Sequence, residues 1–154
     1  MRAVIQRVLR AEVTINGTER REIPEGLAVL LGVRNGDSAK DAELLAKKTA
    51  ELRILCDDTG KMNLSVLDRG QSVLVVSNFT LYANCSHGRR PEFLAAAKPP
   101  EAEHLYEYFV EQLRAQGVQD VKTGEFGAHM ELSLIGNGPI TILLDTDELK
   151  RGKA

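Results

Sequence analysis

The chain has no tryptophan, and its 154 residues include only two cysteines and three histidines. Each scarcity excludes a kind of chemistry. Cys56 and Cys85 are too few for a disulfide scaffold, and nothing near them has metal-ligand spacing. They are expected as free thiols in a reducing cytoplasm. No apolar run approaches the length that crosses a bilayer, so no membrane partner is expected. The charged start Met1-Arg2-Ala3-Val4-Ile5-Gln6-Arg7 is unlike a signal peptide. Neither sign of charge dominates. With a formal net charge of −2, contact with a polyanion must come from a local basic patch. Also absent are a G-x-S-x-G elbow, an H-E-x-x-H pair, a P-loop and a cysteine–histidine cluster. No metal and no cofactor is expected.

What is present centres on Ser72-Val73-Leu74-Val75-Val76-Ser77-Asn78-Phe79-Thr80-Leu81. The β-branched run reads as a strand. Val73, Val75, Ser77, Phe79 and Leu81 would share one face, and Leu74, Val76, Asn78 and Thr80 the other. Both faces are apolar up to Val76, as in a strand covered on both sides. Ser77, Asn78 and Thr80 then place polar groups at its carboxyl end. They suit a binding site, or simply bond neighbouring backbone.

Taken in order, Ala3 to Ile15 alternates as a long strand with Arg7 in the middle of its apolar face. Either the guanidinium is buried and hydrogen-bonded, or a bulge turns it out to solvent. Asn16-Gly17 signals a hairpin. Leu27 to Val33 reads as a central strand, and Ser38 with Asp41 forms a capping box before a helix. Asp57-Asp58 is read as a turn, without enough carboxylates for metal. Pro91 should open a short helix carrying Phe93 and Leu94, with Arg89 and Arg90 before it able to meet phosphate. Pro99-Pro100 opens a longer helix ending near Gly117. Met130, Leu132 and Leu134 alternate as a strand. Gly136-Asn137-Gly138-Pro139 indicates a special backbone, either a cis peptide at Gly138-Pro139 or an ordinary hairpin turn.

These elements predict an α+β fold: a curved, partly barrel-like, antiparallel-rich sheet with two or three helices packed outside. Residues 1–145 form one domain, and 146–154 a charged C-terminal tail that frays, leaving open whether Lys150, Arg151 and Lys153 touch RNA. Ser77 or Thr80 would act as a nucleophile only with a base, for which His129 is the best of the three histidines. Accessible backbone groups could instead hold a substrate and stabilise an oxyanion.

Five segments in order carry a resemblance: Gln6-Arg7-Val8, Gly60-Lys61-Met62-Asn63-Leu64, Ser77-Asn78-Phe79-Thr80-Leu81, Arg90-Pro91 and Asn137-Gly138-Pro139-Ile140-Thr141. From Met1 to Leu144 the chain resembles the D-aminoacyl-tRNA deacylases. That resemblance implies a homodimer with cross-subunit active sites, acting on the ester between a D-amino acid and the 3′-terminal adenosine of tRNA. Glycine mischarged on tRNA is a further implied substrate. Ser77, Asn78, Phe79 and Thr80 fall at the catalytic segment. Gly138, Pro139, Ala128 and Met130 fall at the positions that bind substrate and reject L-amino acids, through a cis Gly-Pro corner reaching into the partner's pocket. Arg7 would support that corner through carbonyl hydrogen bonds. The implied mechanism uses the terminal ribose 2′-hydroxyl to help activate water, with Thr80 in the pocket rather than attacking. Asn78 departs from the family pattern, which has glutamine there. Ser77 and Phe79 keep the chain apart from the related branch that edits L-alanine. Two other activities fit the same residues: a non-catalytic tRNA-end binding module, and an esterase using Ser77 or Thr80 covalently.

Overall fold

Alternating apolar and polar residues build one long strand, β1 (Arg2–Ile15), on which the rest of the sheet hangs. The computed structural model describes residues 1–152. Asn16 and Gly17, with φ of 49° and 73°, reverse the chain into β2 (Glu19–Ile23), which pairs with Ala11–Ile15. β3 (Gly26–Gly32) pairs antiparallel with the first half of β1, so two strands share one edge of it. After α1 (Ala39–Ala50) come a small ribbon, β4 (Leu55–Cys56) with β5 (Met62–Leu64), and the single turn α2 (Val66–Arg69). β6 (Ser72–Ser77) then runs parallel to β3. α3 (Glu101–Ala115) leads to β7 (Val121–Thr123), parallel to β6. β8 (Met130–Asp145) takes the other edge of β1, and α4 (Thr146–Arg151) follows.

Arg21 Nη1 donates to the carbonyls of Thr123 at 2.9 Å and Gly124 at 3.1 Å, drawing β2 towards the end of β7 and nearly closing the sheet into a barrel. The fold is therefore α+β and barrel-like, with four helices among the described residues.

β6 divides the apolar core in two. Val73 and Val75 pack with Ile5, Leu27 and the stripe of α1 and α3, including Leu45, Phe109 and Leu113. Leu74 and Val76 face the barrel interior with Val8, Val13, Ile15 and Ile23. This is the two-sided burial that the valine-rich run predicts, and each fully buried Leu or Phe contributes about 1.5–3 kcal/mol.

Of the two readings of Arg7, the buried, hydrogen-bonded one holds and exposure by a bulge is overturned. A bulge is present, but at Leu9: Val8 pairs with Gly136 and Arg10 with Ile135, so Leu9 is the extra residue and is 45% exposed. Arg7 stays in, at 8% exposure. On β8, Thr141 pairs with Gln6 and Gly136 with Val8, so residues 137–140 are ejected from the ladder as a corner. The corner interrupts a strand laddered on both sides to β1 and is no hairpin turn.

Three other expectations are corrected. The central strand was expected to reach Leu81 but stops at Ser77, and Phe79–Tyr82 is a 3-10 turn. No helix follows Pro91. Asn84 and Glu92 exchange backbone hydrogen bonds of 2.8 and 3.0 Å, Asn35 N–H bonds Ala95 O, and Ala97 N–H bonds Val33 O. Backbone groups a helix would need are thus committed to the end of β3 and to this pairing. The tail does not begin by fraying, because Asp145 caps α4 by accepting the Asp147 N–H at 2.9 Å. Lys153 lies outside the described residues.

α4 is held to α1 by charge. Asp41, in the capping box of α1, is 2% exposed, and Lys150 Nζ lies 2.5 Å from its Oδ1, set off the hydrogen-bonding direction. Its Oδ2 accepts the Ser38 N–H at 3.0 Å and the Ser38 hydroxyl at 2.9 Å. Burial pushes this carboxyl upward, but Lys150 and Ser38 together hold it well below the usual carboxylate range. A depressed native value means the contribution to stability is present above the unfolded value of about 4 and lost as pH falls through the native one. Urea unfolding at stepped pH is expected to show stability falling below about pH 4. Asp41→Asn should lower stability near neutrality and flatten that acid limb; an unchanged limb would exclude this carboxyl as its source.

Candidate active site

The end of β6 turns sharply because Asn78 serves as a cap. Its N–H donates to Leu31 O at 2.8 Å, continuing the sheet for one bond. Its side-chain Oδ1 then accepts the Thr80 N–H at 3.3 Å and the Thr80 hydroxyl at 2.5 Å, starting the 3-10 turn. Asparagine is among the preferred residues for such a cap. Gly32 makes room for the turn: a Cβ there would stand 3.1 Å from both Asn78 O and Leu81 Cβ. The Asn78 amide is thus taken up locally, in shaping the turn.

Beside this turn lies a cavity of about 480 Å³, lined by Ser77 at the end of β6, Asn78 and Phe79 at the turn, Ala128 just before β8 and Met130 at its start. Phe93 and Phe126 also line it, and Phe93 meets Phe79 edge-on with centroids 5.1 Å apart. Tyr106 contributes from α3, but its hydroxyl donates to Val75 O at 3.0 Å and burial pushes its pKa up to about 12. It stays protonated and committed to that carbonyl. Among the described residues, Lys98 is the one charged lining residue, and no histidine or carboxylate lines the cavity.

The structure thus brings together five of the nine residues singled out from the sequence. Thr80 is exposed and does not line the cavity. Neither does His129, whose side chain is exposed while its carbonyl accepts the Asn16 N–H. Gly138 and Pro139, joined by a cis peptide, stand exposed on the corner of β8. Arg7 lies beneath that corner: Nε donates to Asn137 O at 2.9 Å, and Nη1 to Ile54 O at 2.8 Å and to Cys56 Sγ at 3.4 Å. The structure therefore separates these residues into two groups, a cavity and an exposed corner. Sequence reasoning missed Phe93, Lys98, Tyr106 and Phe126. Phe93 was assigned to a helix that does not form, and Tyr106 was counted only as core.

A family model described as D-Tyr-tRNA(Tyr) deacylase matches residues 4–145. A D-aminoacyl-tRNA deacylase of Thermomicrobium roseum is 54% identical over 152 residues, covering 99% of this chain and 98% of that one. One from Bacillus thuringiensis is 51% identical over 146 residues, covering 95% and 99%. Among solved structures, a c-Myc DNA unwinding element binding protein superposes with a TM-score of 0.88 at 40% identity, over 94% of this chain and 98% of that one. A probable eukaryotic D-amino acid tRNA deacylase, at 18% identity, shares the fold with a TM-score of 0.81 over 93% and 97%. The agreement is nearly end to end in sequence and in backbone, and the chain belongs to the D-Tyr-tRNA(Tyr) deacylase family, hydrolases that act on aminoacyl-tRNA.

Proposed function

We propose that the protein hydrolyses the ester linking a D-amino acid, or mischarged glycine, to the 3′-terminal adenosine of tRNA. The observation that carries this reading is an apolar cavity that, among the described residues, contains Ser77 and Asn78 but neither histidine nor carboxylate. No general base stands ready there, so the attacking water is activated by the substrate's own ribose 2′-hydroxyl. Phe79, the residue of the turn that lines the cavity, supplies its backbone N–H to the developing oxyanion.

Selection of the D-enantiomer is assigned to the Gly138-Pro139 corner of a second copy, entering the cavity and leaving no room for an L side chain. Support comes from the division of the site: the corner stands exposed and away from its own cavity lining. Leu9, Ile135 and Leu143 also stay exposed along β1 and β8, apolar surface that a homodimer would cover. In this reading Ala128 and Met130 form the substrate wall, and Arg7 braces the corner. The protein is placed in the cytoplasm with its tRNA substrate.

The test follows release of amino acid from D-tyrosyl-tRNA and L-tyrosyl-tRNA, with wild type and Thr80→Ala. Wild type should cleave the D-ester alone. Thr80 donates its hydroxyl proton to Asn78, so its loss should loosen the turn and lower the rate by about tenfold or less, within the cost of one hydrogen bond. Equal cleavage of both enantiomers would refute the selectivity, and complete loss of turnover in Thr80→Ala would refute the backbone-centred mechanism.

A further inference from the structure

Lys98 is conspicuous as a cation in an otherwise uncharged cavity lining. Its backbone is pinned on both sides. The Lys98 carbonyl accepts the Ala102 N–H at 3.1 Å where α3 begins, and the preceding Ala97 N–H donates to Val33 O at 3.0 Å. Among the described residues its ammonium joins no ion pair. The side chain is exposed, so packing does not account for it. Glu101 and Glu103, just beyond it in the first turn of α3, make the immediate surroundings acidic. Among the described residues, Lys98 is therefore the cation that the cavity lining itself offers to an approaching polyanion.

An aminoacylated RNA end brings two charges close to its ester. One is the α-ammonium of the amino acid; the other is the phosphate on the 5′ side of the terminal ribose. Lys98 repels the first and attracts the second. We propose that Lys98 is a positioning residue that takes the 5′-phosphate of the substrate's terminal nucleotide at the cavity rim. This turns the ester towards Ser77 and the α-ammonium away from the rim. A lysine suits the task because it binds phosphate as a point charge and follows it on a flexible stem. The proposal rests on the deacylase reading, and it concerns ground-state placement rather than the bond-breaking step.

The experiment compares D-tyrosyl-tRNA with D-tyrosyl-adenosine, the nucleoside ester that has no 5′-phosphate. On the tRNA, Lys98→Ala is expected to raise KM about tenfold, the equivalent of one charged contact, and leave kcat within about twofold. Its plot of log KM against log salt should lose roughly 0.7 of slope, as for one phosphate of a single strand. On the nucleoside ester, where only repulsion of the α-ammonium is removed, Lys98→Ala should show no loss against wild type. Lys98→Arg should restore the tRNA value, and Lys47→Ala, on the exposed side of α1, should alter neither substrate. Equal loss on both esters, or no loss on tRNA, would overturn the proposal. Wild type failing on both esters would refute the deacylase reading itself, and this inference with it.

Discussion

Gly138→Ala is expected to lower kcat/KM on D-tyrosyl-tRNA by about 100-fold or more, with the fold intact. Gly138 has φ of +132°, where an L side chain is strained wherever it points. A Cβ there would also lie 2.8 Å from Ile140 Cγ1, 3.0 Å from Ile140 N and 3.1 Å from Arg7 Nη2. The Ile140 side chain can move, but its backbone nitrogen has little freedom and Arg7 is anchored at two carbonyls. The corner must therefore shift bodily, and a displacement near 1 Å at a reacting centre costs about 100-fold in rate. Residues 137–140 lie outside the β1–β8 ladder, so thermal unfolding should fall by only a few degrees. Turnover at the wild-type rate, in a protein that melts normally, would remove the corner from the active site.

Arg7→Ala should instead lower stability and activity together. The guanidinium satisfies Asn137 O and Ile54 O while standing only 8% exposed. Its removal leaves two carbonyls without their donor and a hole beneath the corner, a loss of about 3–5 kcal/mol. Arg7→Lys should recover little, because one ammonium cannot reproduce a fork whose Nε and Nη1 point at different strands. Urea midpoints for the two variants, read beside tRNA cleavage, separate this case from Gly138→Ala, where activity falls almost alone. A shift under about 1 kcal/mol in Arg7→Ala would mean that water replaces the guanidinium and the corner needs no brace.

How much of this was legible beforehand varied with how local the cause was. The two faces of Ser72–Val76, the Asn16-Gly17 reversal and the Ser38–Asp41 box follow from a few neighbouring side chains, and they were read correctly. The bulge at Leu9 was not placed, because its position depends on where residues 137–140 leave a strand over a hundred positions away. The end of β6 was misjudged for a similar reason. Alternation continued on paper through Leu81, while Asn78 took up the cap and Gly32 on another strand made room for the turn. Of the site, Ser77, Asn78, Phe79, Ala128 and Met130 converge on one cavity. Lys98 gave no periodic or motif signal and gained its significance only from an uncharged lining contributed by distant segments.

The corner between Gly136 and Thr141 springs from a strand whose two arms grip the same neighbour, β1. It therefore has no hinge, and no swing of one arm can carry it away from the sheet. Whatever it does, it does as a fixed peg rather than a gate. In the function proposed above, sorting by such a part would happen on arrival, with no closing movement to wait for and none to mistime.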